Sequence, residues 1–490
     1  MNLLTDSWIP VAGSKKKIGL ERLLCSDHSY HLSLPRDDLE MATMQLLVSL
    51  VQVLFTPKDD TELRQRMAVP MRNREYQSVI AEKLDWFDLS HPQTPFMQDL
   101  TTPEDKLASM QGLFAGMPDG KSSTSHAHFV SATEMNQACP SCVAIVLFNR
   151  ATSAPNFSGK HKGPLRGGAP ITTLVQGEDL RQTLWDNVLS ERYLGNNFPL
   201  CDSVDDQPVW VKPVANGGHI QAQDIGLTRG LFWQPIHVRL HHWQRGTCDL
   251  CGDQGEVHGD YLRSATFKYT VHGQWPHPHS PRVWDIKKGV RDRERFLSFT
   301  TTAPAWTRLT EMLVEQESKK SGMQPAAVVD HYQQLFPTEP IFLAVGGYRN
   351  KQASILQRRH ETFSLRQGWQ QNKKTVQDVV ERGVAIKTIL RNKLFGLGKM
   401  IGVSGLAAAA ESTFYRATES LVQKSLRQMA WREAREQIQN LTIELNKVAI
   451  TIFEEITQPY QHDLRTTKPL VQSRQRLHVE LNRLLEEGRG

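Results

Sequence analysis

The sequence predicts an α+β protein, with a large mixed α/β region at residues 1–365 followed by an all-helical region at residues 366–490. Two observations support this fold class. In the first region, short apolar segments are interrupted by many Pro and Gly residues, which is typical of mixed helices and strands. In the second region, apolar residues recur at spacings of three and four over long stretches, which indicates amphipathic helices.

The first strong helix signal follows Pro35, where Asp37 and Asp38 supply the acidic charge that stabilises a helix N-terminus. An apolar stripe follows and predicts that this helix lies in the core. Its members are Leu39, Met41, Met44, Leu46, Leu47, Leu50 and Val51.

A strand is predicted at residues 267–271, where β-prone side chains alternate with others, and it runs into a turn at Gly273.

Two polar stretches, residues 119–131 and 154–168, are predicted to be exposed loops, where binding residues are common. After residue 366, helical periodicity indicates four helices. They are centred on residues 376–384, 407–429, 441–452 and 477–484. Short connections, such as residues 459–469, suit an antiparallel four-helix bundle.

The composition excludes several classes of protein. Of the 490 residues, 39% are hydrophobic and 8% are aromatic, which is enough to fold as globular domains and not as a disordered chain. The longest apolar stretch, residues 45–55, is shorter than the ~18 to 20 residues that span a bilayer. The N-terminal residues lack the features of a signal peptide. We therefore expect a cytoplasmic protein with no membrane partner.

Four of the six cysteines form two C-x-x-C pairs, the spacing that zinc sites use. The pairs are Cys139 with Cys142 and Cys248 with Cys251. Together they offer the four thiolates of a closed tetrahedral site, and we expect a structural Zn²⁺ without an open position for catalysis. Because 105 residues separate the pairs, two unrelated buried thiol pairs are the alternative.

Positive charge is concentrated in residues 341–400, which contain twelve Lys and Arg against three acids, whereas the whole chain has a net charge of only +6. Such a concentration favours a polyanionic partner, although a solvated basic helix face would look the same. Within it, residues 346–360 begin with a predicted turn at Gly346 and Gly347, which is followed by an aromatic residue, cations and amides. This composition suits a loop or hairpin that enters a groove between phosphate walls, and an ordinary polar turn is the alternative.

Other short motifs give weaker signals. His277 and His279 could bind a metal, but they lack further ligands at suitable spacing, so a role in a turn is the simpler interpretation. The His462-Asp463 dipeptide alone does not identify a phosphohydrolase. No nucleophile triad, H-E-x-x-H motif or nucleotide fingerprint is found. The sequence therefore favours a binding subunit over an enzyme; a metal-dependent nuclease or phosphohydrolase, or a zinc-stapled scaffold that binds only protein or RNA, remain the alternatives.

Five further motifs stand out along the chain: residues 1–10 (MNLLTDSWIP), 32–38 (LSLPRDD), 230–235 (GLFWQP), 275–281 (WPHPHSP) and 346–360. Taken together and in this order, they resemble the CasA family, the large subunit of the type I-E CRISPR Cascade surveillance complex. The resemblance implies a mixed α/β domain that carries the zinc knuckles and a C-terminal four-helix bundle. It also implies a non-catalytic subunit that recognises the protospacer-adjacent motif in duplex DNA, initiates strand separation for R-loop formation and recruits a helicase-nuclease. The implied partners are other Cascade subunits, the 5′ handle of the guide crRNA and double-stranded target DNA.

The resemblance also assigns site residues. The strand-separating wedge of the family corresponds to Gln352, and its glycine loop corresponds to residues 156–160, with Gly159 nearest the minor groove. A flexible loop that meets RNA and DNA corresponds to residues 129–131. The full set of expected DNA-binding residues is Phe129, Val130, Ser131, Asn156, Ser158, Gly159, Lys160, Lys268, Arg349, Asn350, Lys351, Gln352 and Ala353.

Three of these positions depart from the family pattern. Thr266 occupies the place of the family lysine finger, and Lys268, two positions on, would share its strand face and could replace it. Lys351 precedes the wedge where the family has Asn, and Ser131 also stands where Asn is expected. The motif that this chain reads is therefore expected to differ from that of the family.

Overall fold

The computed structural model describes residues 1–102, 107–117, 135–155, 160–198, 206–234, 237–264, 266–351 and 354–487. The chain forms two compact units. Unit 1 comprises Met1–Thr300, Glu315–Leu335 and Leu343–Glu361, and unit 2 comprises Thr301–Val314, Phe336–Phe342 and Thr362–Gly490. The domain boundary at residues 365/366 stays a prediction.

Fourteen α-helices occur in the described ranges. They are α1 (Leu20–Leu24), α2 (Asp37–Leu54), α3 (Asp60–Ala68), α4 (Asn73–Ile80), α5 (Pro140–Thr152), α6 (Leu180–Asp186), α7 (Glu191–Asn197), α8 (Leu227–Leu231), α9 (Leu309–Leu313), α10 (Ala327–Leu335), α11 (Lys373–Ile401), α12 (Leu406–Gln428), α13 (Ala434–Thr457) and α14 (Leu464–Glu487).

The strands are short except for the last two. They are β1 (Leu107–Ser109), β2 (Thr172–Val175), β3 (His219–Gln221), β4 (Val238–Leu240), β5 (Trp243–Thr247), β6 (Gln254–His258), β7 (Asp260–Arg263), β8 (Thr270–His272), β9 (Arg282–Lys287), β10 (Val290–Phe296), β11 (Gln316–Glu317), β12 (Ser321–Gln324), β13 (Ile341–Lys351) and β14 (Ser354–Leu365).

Several small sheets organise unit 1, with strand orders β1-β7-β4, β10-β9-β12-β11 and β14-β13-β2, and the pairs β3-β8 and β5-β6. Within the described residues, β3-β8 is parallel, whereas β5-β6 is an antiparallel hairpin. Helix α2 provides the core of unit 1 and packs against α5, α6 and α8. The predicted apolar stripe of α2 is buried along its whole length, so the mixed α/β prediction and the core helix are both confirmed.

Two of the motifs that carry the family resemblance pack against each other in unit 1. The ring of Trp275 lies 2.0 Å from the position that a Cβ on Gly230 would take, so only glycine fits beneath the ring. The Trp275 indole donates to the carbonyl oxygen of Ile225 at 2.9 Å. These motifs therefore contribute to packing in the core.

Unit 2 contains the long helices α11 to α14, and helix α11 contacts α12, α13 and α14. The predicted helical character of this region is confirmed, and Val376, Val380, Leu445 and Leu477 of the predicted apolar faces are buried. Helix α14 begins at Leu464, inside the connection predicted at residues 459–469. Across the described part of the chain, none of the helices has the length and apolarity needed to cross a membrane.

Candidate metal centre and nucleic-acid interface

The four cysteines of the two C-x-x-C pairs lie together. Their sulfur atoms are all within 4.8 Å of one another, and the Sγ atoms of Cys139 and Cys251 are 3.6 Å apart. We call this group the cysteine cluster. Two pairs that are 105 residues apart in the sequence are thus one site, so the alternative of two unrelated thiol pairs is wrong.

Local structure explains how the two pairs meet. Cys139 is the N-cap residue of α5 and Cys142 lies in its first turn, while Cys248 and Cys251 lie in the connection between β5 and β6. The carboxylate of Asp249 accepts hydrogen bonds from the backbone N–H groups of residues 136 and 137, at 2.8 and 2.9 Å. The segment that leads into α5 is thereby tied to the β5-β6 connection.

The geometry of the cysteine cluster fits a zinc ion. Four thiolates at about 2.3 Å from Zn²⁺ in a tetrahedron lie about 3.8 Å from one another, close to the observed 3.6 Å. A disulfide requires a sulfur–sulfur distance near 2.05 Å, so these thiols are not bridged. Elsewhere in the described ranges, no group of three or more His, Cys, Asp or Glu side chains is close enough to hold a metal.

A lysine balances the charge of the cysteine cluster. The Lys17 ammonium lies 3.3 Å from the sulfur of Cys139 and 3.5 Å from that of Cys251, and it pairs with Asp253 at 2.6 Å. Burial alone would lower the pKa of Lys17, but the charges of Cys142 and Cys139 outweigh it and raise that pKa above its ordinary value. Hydrogen bonding with Cys142 is the largest of several effects that lower the pKa of Cys139 to about 6. Hydrogen bonding with Cys139 also lowers the pKa of Cys248, whereas it raises the pKa of Cys142 and of Cys251, so the metal-free cluster favours two thiolates and two thiols.

The segment with the Gly-Gly pair forms two paired strands, β13 and β14, which end at Lys351 and begin at Ser354. The prediction of a turn at Gly346 and Gly347 is wrong, because β13 continues through both residues. Gly347 has a φ of +155°, and a Cβ there would lie 2.7 Å from the carbonyl oxygen of Pro170. Glycine is needed at this position because another backbone approaches closely.

A buried polar network anchors β13 to the N-terminus of α2. The hydroxyl of Tyr348 donates to Asp38 Oδ2 at 2.8 Å and accepts from the Asn149 amide at 2.7 Å. Arg36 donates to both carboxylate oxygens of Asp38, at 3.0 and 2.7 Å, and to the carbonyl of Ala115 at 2.7 Å. Burial and the Asp38 charge raise the pKa of Tyr348 well above its ordinary value, so the phenol keeps its proton. The residues 32–38 motif therefore positions the hairpin.

An apolar cluster beside this network joins the chain segments that lead into three regions outside the described residues. It consists of Ala115, Ala154, Ala169 and Tyr348, with half-buried Ile355 packed against them, and we call it the Tyr348 hub. Ala115 precedes residues 118–134, Ala154 precedes residues 156–159, and Tyr348 and Ile355 flank residues 352–353. The flanks of three separate predicted DNA-contacting segments thus meet at one place.

A second feature of this surface is a row of exposed lysines. A parallel bridge pairs the buried residues His161 and Phe267. Their chain neighbours Lys160, Lys162 and Lys268 are all exposed, and we call these three residues the lysine face. Thr266 is exposed like Lys268, so these two residues share a face, as predicted. Lys162 is not among the predicted site residues. The sequence signal that could have identified it is the alternation Lys160-His161-Lys162, in which the two lysines lie on either side of a buried residue.

A family comparison decides the identity of the chain. A family model for the CRISPR-associated protein Cse1 matches residues 2–452. The chain belongs to the Cse1 family. The predicted resemblance is thereby confirmed.

Solved structures share the fold of this Cse1-family chain across nearly its whole length. Cse1 from Thermobifida fusca matches with a TM-score of 0.75 and 17% identity, covering 98% of both chains. CasA from Thermus thermophilus matches with a TM-score of 0.73 and 18% identity, covering 99% of both chains. A chain of a structure described as a CRISPR RNA-guided surveillance complex matches with a TM-score of 0.69 and 16% identity, over 98% of this chain and 99% of that chain. At such low identities, these matches show the shared fold.

The predicted site residues of this Cse1-family chain fall into two groups. Eight lie outside the described residues: Phe129, Val130, Ser131, Asn156, Ser158, Gly159, Gln352 and Ala353. The others are described. Lys160 and Lys268 belong to the lysine face, Lys351 is exposed at the end of β13, and Arg349 pairs through its backbone with Phe299. The Asn350 amide nitrogen lies 3.8 Å from the place that a Cβ on Gly168 would take.

Histidines His277 and His279 are buried and are not part of a described metal site. The Nδ1 atom of His277 accepts the backbone N–H of His279 at 3.1 Å, which is the predicted role in a turn. Burial lowers the pKa of His279 to about 3, so it is neutral near pH 7.

The prediction that residues 154–168 form an exposed loop is partly wrong, because His161 and Arg166 are buried.

Several cations of unit 2 already have partners within it. Lys393 pairs with Glu480, Lys374 pairs with Asp378 at 3.0 Å, and Lys387 pairs with Glu411 at 3.1 Å. Part of the charge concentrated in residues 341–400 is therefore paired with acids of unit 2.

Proposed function

We propose that this chain is the large DNA-recognition subunit of a type I-E CRISPR surveillance complex. It reads a protospacer-adjacent motif in duplex DNA, starts strand separation for R-loop formation and recruits a helicase-nuclease, without a catalytic step of its own. One observation carries the proposal. The resemblance assigns RNA and DNA contacts to residues 129–131, residues 156–160 and Gln352, and the described chain segments that lead into these three regions converge on the Tyr348 hub.

In this function, different residues provide affinity for DNA and recognition of its sequence. The lysine face, together with Lys351, supplies positive charge for phosphates, which increases affinity without reading the sequence. Reading of the motif is assigned to the glycine loop and to Lys268, in the minor groove. Guide RNA pairing then reads the long target sequence, so the protein needs to recognise only a short duplex motif.

Two further parts of the molecule complete the proposal. The cysteine cluster holds one structural Zn²⁺ through Cys139, Cys142, Cys248 and Cys251, and the ion ties α5 to the β5-β6 hairpin. Helices α11 to α14 form an antiparallel four-helix bundle that contacts other Cascade subunits. Residues 129–131 contact the 5′ handle of the guide crRNA, and the complex acts in the cytoplasm.

Strand separation is assigned to Gln352, between the ends of β13 and β14. Opening the first base pair costs on the order of a few kcal/mol before guide pairing can return any free energy. Phosphate contacts favour closed and open DNA alike, so a side chain inserted next to the motif must supply this free energy. A glutamine is long enough to fill a base-step gap, and its amide can bond exposed base edges.

The test is the Gln352→Ala variant in the assembled complex. We expect R-loop formation on closed duplex to slow about tenfold, corresponding to roughly 1.4 kcal/mol. The rate should recover when the target beside the motif is already mismatched and open. The matched control is Gln357→Ala, an exposed glutamine of the same strand pair in β14.

Equal defects on closed and open targets would make Gln352 a general contact and would contradict its role as a wedge. A randomised-motif library bound by the wild-type complex identifies the motif, and the absence of any preferred motif would contradict the recognition function. Cleavage of labelled duplex by the purified chain with Mg²⁺ or Mn²⁺ would support the nuclease alternative instead.

A further inference from the structure

Lys17 reaches the cysteine cluster from a third chain segment. Its ammonium group has three N–H donors, and the structure provides three acceptors for them. They are the sulfur of Cys139 at 3.3 Å, the sulfur of Cys251 at 3.5 Å and Oδ2 of Asp253 at 2.6 Å. Only 10% of the Lys17 side chain is exposed, so these contacts hold a nearly buried charge in place. One sulfur of each C-x-x-C pair is thus bonded to the same cation.

The charge of a zinc-bound cluster explains why a cation is suitable here. Four thiolates carry two more negative charges than one Zn²⁺ ion neutralises. Charge that is removed from water is stabilised only when an opposite charge or hydrogen-bond donors lie close to it. The Lys17 ammonium provides both to two of the four sulfurs, and the Asp253 carboxylate fixes its position.

The four sulfurs differ in how the fold protects them. Cys139, Cys142 and Cys248 are 6%, 3% and 1% exposed, so packing keeps solutes away from them. Cys251 is only half-buried and lines a cavity of about 590 Å³. Lys17 lines the same cavity. Its ammonium therefore lies on the side from which solvent and small electrophiles can reach the sulfur of Cys251.

Contact with a cation changes the reactivity of a metal-bound sulfur. A zinc-bound thiolate can still attack an electrophile, because it keeps lone pairs that the metal does not use. A charge-assisted hydrogen bond stabilises those lone pairs and makes the sulfur a weaker nucleophile. This matters for a structural site, since alkylation converts the thiolate into an uncharged thioether that binds Zn²⁺ poorly.

We propose that Lys17 protects the zinc site on its accessible side, by lowering the reactivity of the Cys251 sulfur toward electrophiles that enter the cavity. This inference rests on the zinc assignment within the proposed function. The charge is essential to the role, and the cavity beside the ammonium leaves room for a larger cation. Lys17→Arg should therefore preserve the protection. Lys17→Met, which keeps an unbranched side chain but no charge, should not.

The experiment measures alkylation of the purified, zinc-bound chain by iodoacetamide, a neutral reagent that the charge of Lys17 neither attracts nor repels. The thiolate sulfur displaces iodide from the reagent and becomes a thioether. Mass spectrometry gives the rate at each cysteine, and a chromogenic chelator records the zinc that is released. Cys25 is the internal reference, because this half-buried free thiol lies outside the cluster. The ratio of the Cys251 rate to the Cys25 rate corrects for a general loosening of unit 1, which would raise both.

We expect Lys17→Met to raise this ratio at least about tenfold, the size of effect that residues in contact with metal ligands commonly have. Zinc release should accelerate in parallel. Lys17→Arg should stay within about threefold of the wild type, because the charge is kept. The matched control is Lys16→Met, which removes the same charge from an exposed neighbour and should leave the ratio unchanged.

A milder variant covers the case in which Lys17→Met does not retain zinc. Lys17→Gln keeps an N–H donor without the charge and should raise the ratio about two- to fivefold. A wild-type ratio in Lys17→Gln, or in zinc-bound Lys17→Met, would overturn the protective role and leave the zinc site intact.

Two further outcomes would contradict the inference. Equal acceleration in Lys17→Met and Lys17→Arg, or loss of zinc from both, would show that the shape of the lysine and not its charge is decisive. Absence of zinc from the wild-type chain would contradict the zinc assignment itself, and the protective role would fail with it.

Discussion

The cysteine cluster and the Tyr348 hub both join chain segments that are far apart in the sequence, but they do so with different chemistry. The cluster uses four identical soft ligands within 4.8 Å of one another. The hub uses alanines and an isoleucine around one tyrosine, whose hydroxyl contacts Asp38, 310 residues away. In our proposal the first junction depends on one Zn²⁺ ion, whereas the second depends on packing and on a chain of hydrogen bonds.

Because of this difference, we expect mutations to destabilise the two junctions in different ways. A metal site is all-or-none, because loss of two of the four ligands removes the ion and the whole tie between its segments. A packed hub is destabilised gradually, since each methyl group or hydrogen bond that is removed lowers the free energy of unfolding by about 1 kcal/mol. The predictions below test this contrast, beginning with the largest expected effect.

Replacing Cys248 and Cys251 with serine should release the metal and destabilise unit 1 by about 5 kcal/mol or more, because zinc binding is coupled to folding. Metal analysis and thermal unfolding measure the two effects. The wild type should contain close to one zinc per chain when it is purified without chelator under reducing conditions. Cys25→Ser is the control, because Cys25 is half-buried and outside the cluster. Full retention of zinc in the double variant would contradict the site.

Acid should release the zinc from the cysteine cluster without affecting the Tyr348 hub. In the metal-free protein the pKa of Cys139 is about 6. Its thiolate thus stabilises the fold fully above the ordinary thiol pKa of about 8.5, and this contribution is lost as the pH falls through 6. Bound Zn²⁺ competes with protons, so release should have its midpoint below pH 6. A chromogenic chelator measures it, and Tyr348→Phe should follow the wild-type curve.

Tyr348→Phe tests the hydrogen-bonded part of the hub. It keeps the ring but leaves the buried groups of Asp38 and Asn149 without the hydroxyl, which should cost about 1 to 3 kcal/mol in the free energy of unfolding. Urea unfolding measures this difference. Tyr30→Phe is the matched control, because the Tyr30 hydroxyl bonds Arg22 at an exposed position and should contribute less than about 1 kcal/mol. Equal effects of the two variants would show that burial of the network is unimportant.

Ile355→Val should have the smallest effect, about 0.5 to 1.5 kcal/mol, because it removes one methylene from a half-buried side chain of the hub. Zinc content should stay unchanged, which separates the two junctions. A loss of zinc in this variant would show that the hub and the cysteine cluster are coupled, against the contrast drawn above.

The two junctions also differ in how far they can be predicted from sequence. Zinc restricts its ligands to a few residue types at short local spacings, so the two C-x-x-C pairs are recognisable even with 105 residues between them. Alanine, tyrosine and isoleucine carry no such restriction. The Tyr348 hub therefore cannot be recognised from the sequence, although Tyr348 and its partner Asp38 both lie in motifs that carry the family resemblance.

Arg166 and Gly347 show where local interpretation goes wrong. An arginine among glycines and lysines predicts an exposed loop. The Arg166 guanidinium is instead buried and donates to five oxygen atoms, two of which belong to residues 114 and 121 positions away. A Gly-Gly pair predicts a turn, but Gly347 lies inside β13, where it allows the Pro170 backbone to approach. In both cases, the deciding neighbours are set by the fold and not by adjacent residues.

Sequence patterns alone predict the helical periodicity of α11 to α14, the apolar stripe of α2 and the four cysteines of the cluster. Each of these is encoded by spacing within a few residues, because helix geometry and metal coordination impose their own periods. The folded structure alone reveals which polar side chains are buried, which lysines form one face and which chain segments meet at the Tyr348 hub. These properties depend on contacts between segments tens to hundreds of residues apart, and no local pattern records them.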